Sequence, residues 1–226
     1  MNDKVEMRVI ARVRTPFAEK FGVPRQSGLA PAQGTVIFEP DYRCADALRG
    51  LEGFSHLWLV WMFHQAVRKD WSPTVRPPRL GGNQRMGVFA TRSPFRPNPI
   101  GLSCVELAGV ELHTPEGPVL HVRGIDLVDG TPILDIKPYL PYCDARPEAA
   151  GGFTAGLDSP ALAVSFPPAL LEQIPPVHRS GLLAVLAGDP RPRYQADPQR
   201  IYGLTYAGCN VTFRVEGETV IVEGVE

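Results

Sequence analysis

A proline-stiffened loop is the segment whose residue types and spacing best suit ligand recognition. Residues 92–101 read Arg-Ser-Pro-Phe-Arg-Pro-Asn-Pro-Ile-Gly, with three prolines within six residues. Proline fixes its own φ and restricts the residue before it, so two arginines and an asparagine should be held in a stiff loop. Such a loop either recognises a polar partner or merely ends one strand and starts the next, and both interpretations remain open.

Three aspartates offer acid–base chemistry a short distance further along. Asp126 and Asp129 could act as paired carboxylates, and Asp135 follows a few residues later. Asp129 precedes Gly130, however, and aspartate before glycine is typical of a turn. These acids could equally be solvent-facing or hydrogen-bonded to backbone, so a structural role stands beside the catalytic one.

The histidines and cysteines lack the spacing of a metal site. If His56 and His64 lie on one strand they are about 26 Å apart, too far to share an ion. No zinc-like spacing relates His113, His121 and His178, so we expect no metal. Cys104 could be a nucleophile, but a buried structural thiol is the simpler interpretation because no motif supplies a partner.

The phosphate-binding and nucleophile motifs of common enzyme folds are missing. The sequence has no GxGxxG after a strand, no GxxxxGK[ST] and no GxSxG elbow. This disfavours a Rossmann-type fold. The glycine-rich stretch 80–87 could approach an anion, although glycines there also fit plain turns.

Basic charge is concentrated in one part of a nearly neutral chain. The formal net charge is −1, yet residues 68–96 contain seven basic residues and one acid, Asp70. Arginine outnumbers lysine 19 to 4 over the 226 residues, and its planar fork suits phosphates and base edges. The segment indicates an anionic partner, unless these arginines are solvated or paired with carboxylates elsewhere.

Composition places the chain among ordinary globular proteins rich in turns. It is 44% hydrophobic and 21% charged, with 24 prolines that disfavour long helices. Four widely spaced cysteines, a charged amino terminus and the lack of an 18-residue apolar run predict a cytoplasmic protein that does not enter a membrane.

Short strands should position the polar segments. Alternation predicts a half-buried strand over 5–13, and the next elements are a strand over 34–38, a short helix over 42–51 and a central strand over 56–63. Further strands are predicted at 87–91, 102–112, 119–127 and 132–136, with Asp129-Gly130 forming a two-residue hairpin loop between the last two. This regular series predicts a β-barrel over residues 1–145.

A second, smaller unit should follow a linker. Residues 146–160 belong to a stretch rich in Ala, Gly and Pro that lacks a periodic apolar pattern. Residues 161–226 then contain a predicted helix over 178–187 and strands over 201–206, 210–215 and 219–222. The fold class is therefore mainly β, with a small α+β carboxy-terminal domain.

Several of these segments together resemble the TrmO (TsaA-like) family. The resemblance covers roughly residues 5–145 in order, and the tail segment 189–194 with Tyr202 also resembles the family's small carboxy-terminal domain. The segments that carry it are Phe-Gly-Val-Pro-Arg-Gln at 21–26, Gly-Phe-Ser-His-Leu-Trp at 53–58, Phe-His-Gln at 63–65, Arg-Pro-Pro-Arg-Leu-Gly-Gly at 76–82, Met-Gly-Val-Phe-Ala-Thr-Arg at 86–92, Phe-Arg-Pro-Asn-Pro-Ile-Gly at 95–101, Asp-Leu-Val-Asp-Gly-Thr-Pro at 126–132 and Asp-Ile-Lys-Pro-Tyr at 135–139.

The resemblance implies a non-Rossmann β-barrel methyltransferase. It implies S-adenosylmethionine as cofactor, bound near the interface of a homodimer, and a tRNA anticodon stem-loop as partner. The implied product is the N6-methyl form of N6-threonylcarbamoyladenosine, next to the anticodon in tRNA reading ACN codons. These expectations come from the resemblance alone.

The residues that match the family's motifs indicate where the cofactor site of this chain would lie. For His64, a satisfied structural histidine remains an equal alternative to a ligand contact. The implied cofactor-binding residues are Pro24, Arg25, Gln26, His64, Gln65, Arg92, Leu102, Asp126, Leu127, Val128, Asp129, Gly130 and Thr131.

The substrate's chemistry suggests roles for further residues. N6 carries a carbamoyl group and is a weak nucleophile, so Asp126 is a candidate catalytic base that helps remove its proton. Basic residues would position the phosphates, and an aromatic ring could stack on an extruded base. The candidate tRNA-binding residues are Arg76, Arg79, Arg85, Phe95, Arg96, Lys137 and Tyr139.

Two other classes of function stay open at this point. The barrel could be a non-enzymatic RNA- or protein-binding module that keeps the stiff loop only for recognition. Alternatively, Asp126 and Asp129 could serve a hydrolase, with turnover that needs no methyl donor.

Overall fold

The computed structural model describes residues 4–77, 80, 84–156, 160–191, 197 and 199–226. Within them, six strands close into an antiparallel barrel with the neighbour order β1-β2-β7-β6-β3-β8. These are β1 (Ala11–Arg14), β2 (Gln33–Phe38), β3 (His56–Met62), β6 (Ile100–Glu111), β7 (Val119–Arg123) and β8 (Pro132–Pro138), while β4 (Thr74–Val75) and β5 (Met86–Gly87) form a two-stranded ribbon. The mainly β, barrel-like fold predicted from the sequence is confirmed.

Alternating side chains explain why these strands close around a core. Along β3, Leu57, Leu59 and Trp61 are buried, and the intervening residues are less so. The same period of two in β2 points Val36 and Phe38 inward. Each strand thus contributes one face to a common core, as closed barrels require.

The carboxy-terminal unit is a four-stranded sheet covered by a helix. Its strand order is β10-β11-β12-β9, and only the pair of β12 with β9 is parallel. The elements are α1 (Pro141–Asp144), β9 (Ala163–Ser165), α2 (Pro168–Leu171), α3 (Pro176–Ala187), β10 (Tyr202–Tyr206), β11 (Cys209–Glu216) and β12 (Thr219–Val225). The predicted helix and three strands of this unit are confirmed.

A backbone hydrogen bond and an aromatic pair join this sheet to the barrel. The Ala207 N–H donates to the Pro16 carbonyl at 2.8 Å. Next to it, the rings of Phe17 and Tyr206 meet edge to face with centroids 5.4 Å apart, and both side chains are fully buried. Their burial makes one continuous apolar core across the two units.

Some predictions of secondary structure were wrong because tertiary contacts did not support the local sequence pattern. The strand predicted over 5–13 is realised only from Ala11, since Val5 and Met7 are 86% and 51% exposed and find no partner strand in the part of the chain described. Residues 40–53 form three short 3-10 turns instead of a helix, with Gly50 in the left-handed region at φ 85°. The strand predicted over 87–91 is a 3-10 turn after Gly87.

The predicted hairpin at Asp129-Gly130 is also wrong. β7 pairs with β2 and β6, whereas β8 pairs with β1 and β3. The turn is held by β1 and the residues after it: the Gly130 N–H donates to the Val13 carbonyl and the Asp129 N–H to the Phe17 carbonyl, both at 2.8 Å. The turn therefore carries the chain across the end of the barrel.

Candidate functional site

One end of the barrel opens into a cleft of about 730 Å³. The carboxyl ends of β1, β3 and β7 meet the amino ends of β6 and β8 there, because neighbouring strands are antiparallel. The volume lies within the range of small-molecule sites. Eleven of the thirteen predicted cofactor residues line the cleft: Pro24, Arg25, Gln26, His64, Gln65, Arg92, Leu102, Asp126, Leu127, Val128 and Thr131.

The proline-rich loop forms one wall of the cleft and is internally fixed. The Arg96 guanidinium donates to the Thr91 carbonyl at 3.0 Å, and the Phe63 N–H binds the Pro99 carbonyl at 2.8 Å. The side chains of Phe95 and Arg96 line the cleft. Because Arg96 is half-buried and donates its hydrogen bonds to backbone carbonyls of its own loop, it mainly stabilises this wall of the cleft.

A second wall is the loop between β1 and β2. The Arg92 guanidinium donates to the Gln26 side-chain carbonyl, which ties this loop to the proline-rich one. One residue on, the Ser27 hydroxyl accepts from the Cys104 N–H at 3.1 Å. Arg25 also reaches the carboxy-terminal unit, where it donates to the Asp189 carbonyl at 3.3 Å. These contacts hold the predicted residues at 24–26 in one arrangement.

Apolar side chains complete the cleft. Ile100 and Leu102 are 38% and 52% exposed, although both are large hydrophobic residues. They stand on the same side of β6 and line the cleft together with Phe63. Exposed apolar groups beside cationic ones suit a ligand with both an apolar part and a charged part.

Asp126 places a carboxylate on the cleft wall. Its Oδ1 accepts a 2.6 Å hydrogen bond from the hydroxyl of Ser103, a residue that is only 1% exposed. Burial raises the pKa of Asp126 to about 6, although the Ser103 hydrogen bond, backbone N–H groups and the charge of Arg92 act in the opposite direction. A carboxylate with a pKa just below neutrality can accept a proton and is still mostly ionised at pH 7.

Asp129 has a different role from Asp126. Its Oδ1 accepts from the Thr15 N–H at 2.9 Å, and neither Asp129 nor Gly130 lines the cleft. The two predicted cofactor positions in this turn therefore support the cleft from outside. Of the two aspartates, Asp126 lines the cleft and Asp129 does not, which disfavours a two-carboxylate hydrolase.

The predicted tRNA-binding residues are spread over the molecule. Phe95 lies in the cleft, and the Arg68 guanidinium stacks 3.5 Å from its ring centroid. Arg76 follows β4 and Arg85 precedes β5, so the register of the ribbon places them near each other. Arg79 lies outside the described residues.

Lys137 and Tyr139 lie away from the cleft. Lys137 pairs with Trp58 on β3 and forms a 2.8 Å ion pair with Asp135. The Tyr139 N–H binds the carbonyl of His56, at the opposite end of β3 from the cleft. One barrel end therefore does not gather all the predicted RNA contacts.

Sequence reasoning missed several residues of the site. Lys20 lines the cleft and donates to the Gln65 carbonyl at 2.8 Å, but no motif marks it. Ser103 donates a hydrogen bond to Asp126, and Trp61 donates one to Ser103. The pairing of β3 with β6 brings these side chains together, and no local sequence pattern predicts this contact. Cys104, weighed as a nucleophile, is half-buried, and burial raises the pKa of its thiol, which disfavours the thiolate.

Within the described residues, no group of three or more His, Cys, Asp or Glu side chains could hold a metal ion. No helix in those same ranges is long and apolar enough to cross a bilayer.

Comparison with known proteins identifies the family. The model for the tRNA-methyltransferase O N-terminal domain matches residues 12–145, and the TrmO C-terminal domain matches 159–226. A tRNA (adenine(37)-N6)-methyltransferase from Escherichia coli is 47% identical over 217 residues, which cover 91% of each chain.

Other matches agree with this assignment. A protein from Pyrococcus abyssi named as an S-adenosyl-L-methionine-binding protein is 41% identical over 140 residues, 62% of this chain and 70% of that protein. The crystal structure of TrmO from P. aeruginosa superposes with a TM-score of 0.80 at 36% identity, covering 100% of this chain and 98% of that one. With both domain models matched in order along nearly the whole length, the chain belongs to the TrmO family of tRNA methyltransferases.

Proposed function

We propose that this enzyme methylates N6 of N6-threonylcarbamoyladenosine beside the anticodon of tRNA reading ACN codons. Its family makes it an S-adenosylmethionine-dependent methyltransferase that acts on tRNA at position 37. The observation that carries the finer proposal is the cleft, which joins cationic groups, apolar walls and one proton-accepting carboxylate at a single barrel end.

The cleft residues fit the cofactor by their chemistry. Arg92 and Arg25 can bind the carboxylate of its amino acid moiety, because guanidinium groups bind carboxylates with paired hydrogen bonds. Leu102 and Ile100 offer an apolar surface to the adenine. Bound there, S-adenosylmethionine would supply an electrophilic methyl group on its sulfonium.

The protein's main contribution to the chemistry is orientation. A held geometry brings N6 in line with the carbon–sulfur bond, which can account for a large part of the rate enhancement without a covalent intermediate. Asp126 is the group we assign to accept the N6 proton, since it lines the cleft and its raised pKa suits a base.

Recognition of RNA is assigned to the basic ribbon. Arg76 and Arg85 are exposed, and no ion pair engages either of them within the described part of the chain. Exposed guanidinium groups can bind the phosphates of an anticodon stem-loop. We further propose a cytoplasmic homodimer, with the methyltransferase domain over 1–145, a linker over 146–160 and a carboxy-terminal domain over 161–226.

A labelling experiment tests the substrate. Purified protein is incubated with labelled S-adenosylmethionine and tRNA that carries threonylcarbamoyladenosine, and unmodified tRNA is the matched control. Label on N6 of the modified tRNA alone supports the proposal. Label on both tRNAs, or on another nucleoside, would show a different acceptor, and cofactor-free RNA binding would favour a recognition module.

A further inference from the structure

A buried hydroxyl connects the barrel core to the carboxylate of the cleft. Ser103 lies on β6, is 1% exposed and contacts two polar groups. The Trp61 Nε1–H donates to Ser103 Oγ at 3.0 Å, and Oγ lies 2.6 Å from Asp126 Oδ1. An indole nitrogen only donates and a serine hydroxyl carries one proton, so with Asp126 ionised that proton points at the carboxylate.

Packing holds the hydrogen-bonded series Trp61–Ser103–Asp126, here called the relay, in one geometry. Trp61 and Gly101 are register partners on β3 and β6, and the indole lies directly against the glycine. A Cβ added at Gly101 would come within 2.3 Å of the indole, so only glycine leaves room for the ring. Trp61 is 8% exposed and also packs edge to face on Phe63, with centroids 4.2 Å apart.

We propose that Ser103 is a positioning residue for methyl transfer: fixed by the Trp61 indole, its hydroxyl donates to the Asp126 carboxylate at the cleft wall and so keeps that carboxylate ionised and able to accept a proton. This inference rests on the proposed function and adds two residues to it. During transfer, N6 forms a bond to the methyl carbon while the carbon–sulfur bond breaks and leaves its electron pair on sulfur. The N6 proton passes to Asp126.

The surroundings of Asp126 allow the contribution of Ser103 to be isolated. Hydrogen bonds from Ser103 and from the Ser27 backbone favour the ionised carboxylate, as does the charge of Arg92, and burial opposes them. Removing the Ser103 hydroxyl should therefore raise the pKa of Asp126 further. Among the described residues, the other ionisable side chains lining the cleft are Lys20, Arg25, His64 and Arg96.

Titration of the Asp126 carboxyl carbon by ¹³C NMR in the full-length protein tests the relay directly. We expect Ser103→Ala to move the midpoint upward by about one pH unit, the size of a lost hydrogen bond to a charged group. Ser103→Thr keeps a hydroxyl and should keep the midpoint. Trp61→Phe should move it upward by less, because Ser103 then loses its fixed direction. An unchanged midpoint in both Ser103→Ala and Trp61→Phe overturns the proposal.

Methylation rates then separate the relay from the proposed function. If Asp126 is the base, Ser103→Ala should be about threefold slower at pH 6.5 and nearly unaffected at pH 8.5, with an unchanged KM for S-adenosylmethionine. A merely structural role would lower the rate equally at both pH values, which contradicts the proposal. If the midpoint shifts but the wild-type protein fails to methylate the modified tRNA, the hydrogen-bond relay holds and the proposed function fails.

Discussion

Neutralising Asp126 gives the sharpest test of the assigned chemistry. With a pKa of about 6, the carboxylate is about 10% ionised at pH 5 and about 99% ionised at pH 8. If it accepts the N6 proton, the single-turnover rate should rise about tenfold across that range and then level off. Asp126→Asn should lower the rate by about 10²–10⁴-fold and abolish this pH dependence.

The same substitution should not unfold the protein. Burial raises the pKa of Asp126 from 3.8 to about 6, so the native state binds this proton more tightly than the unfolded chain does, and stability falls as pH rises through that window. At pH 7 the ionised carboxylate costs up to about 3 kcal/mol, a cost that asparagine avoids. Asparagine also keeps an oxygen for the Ser103 hydroxyl. We therefore expect an equal or higher Tm for Asp126→Asn at pH 7.

The assay is single-turnover methylation of modified tRNA from pH 5 to pH 8, with circular dichroism of each variant. The result that refutes the reasoning is an Asp126→Asn enzyme within about threefold of the wild-type rate at pH 7. A wild-type rate that stays flat between pH 5 and pH 7 would likewise exclude Asp126 as the base.

Two further predictions address the ribbon and the barrel core. Replacing Arg76 and Arg85 by alanine should weaken tRNA binding and reduce the slope of log K against log salt by about 1–2, because each phosphate contact releases about one counterion on binding. Gly101→Ala should destabilise the protein by about 1–3 kcal/mol, since the new methyl meets the Trp61 indole at 2.3 Å and either the strand or the ring must move.

Each of these predictions has a matched control. Filter binding of Arg49→Ala is the control for the ribbon, because Arg49 is also an exposed arginine but pairs with Asp46 and does not line the cleft. An equal slope change in this variant would argue against a specific role for the ribbon. Gly109→Ala on the same strand meets only the His121 ring, at 3.9 Å, and should leave the Tm nearly unchanged. Equal losses in urea unfolding for the two glycine variants would show that the indole contact is not the cause.

Much of the architecture was predictable because it depends on local pattern. The aromatic run of β3 and the alternation in β2 and β6 indicate which strand faces are buried, and these patterns can be recognised without knowing the rest of the fold. The predictions over 5–13 and 42–51 failed where a periodic pattern was not matched by a neighbouring strand or a buried face.

The candidate site shows the same division between local and tertiary information. Residue types alone marked the rigid proline loop, the basic segment and the family motifs, and eleven of the thirteen predicted cofactor positions line one cleft. The sequence named Asp126 as the candidate base and gave Asp129, before Gly130, a possible turn role, but it could not show the partners of either carboxylate. Only the fold buries the first against Ser103 and ties the second to the Thr15 backbone.

The sequence by itself determined most of the barrel strands, the stiff loop and the family, because backbone restriction and alternation act over a few residues. The tertiary structure alone decided which side chains share the cleft, and it placed Lys20 and Trp61 there while leaving Tyr139 at the other barrel end. Barrel closure pairs strands that are far apart in the chain, and the pKa of Asp126 depends on burial and partners that no local pattern encodes.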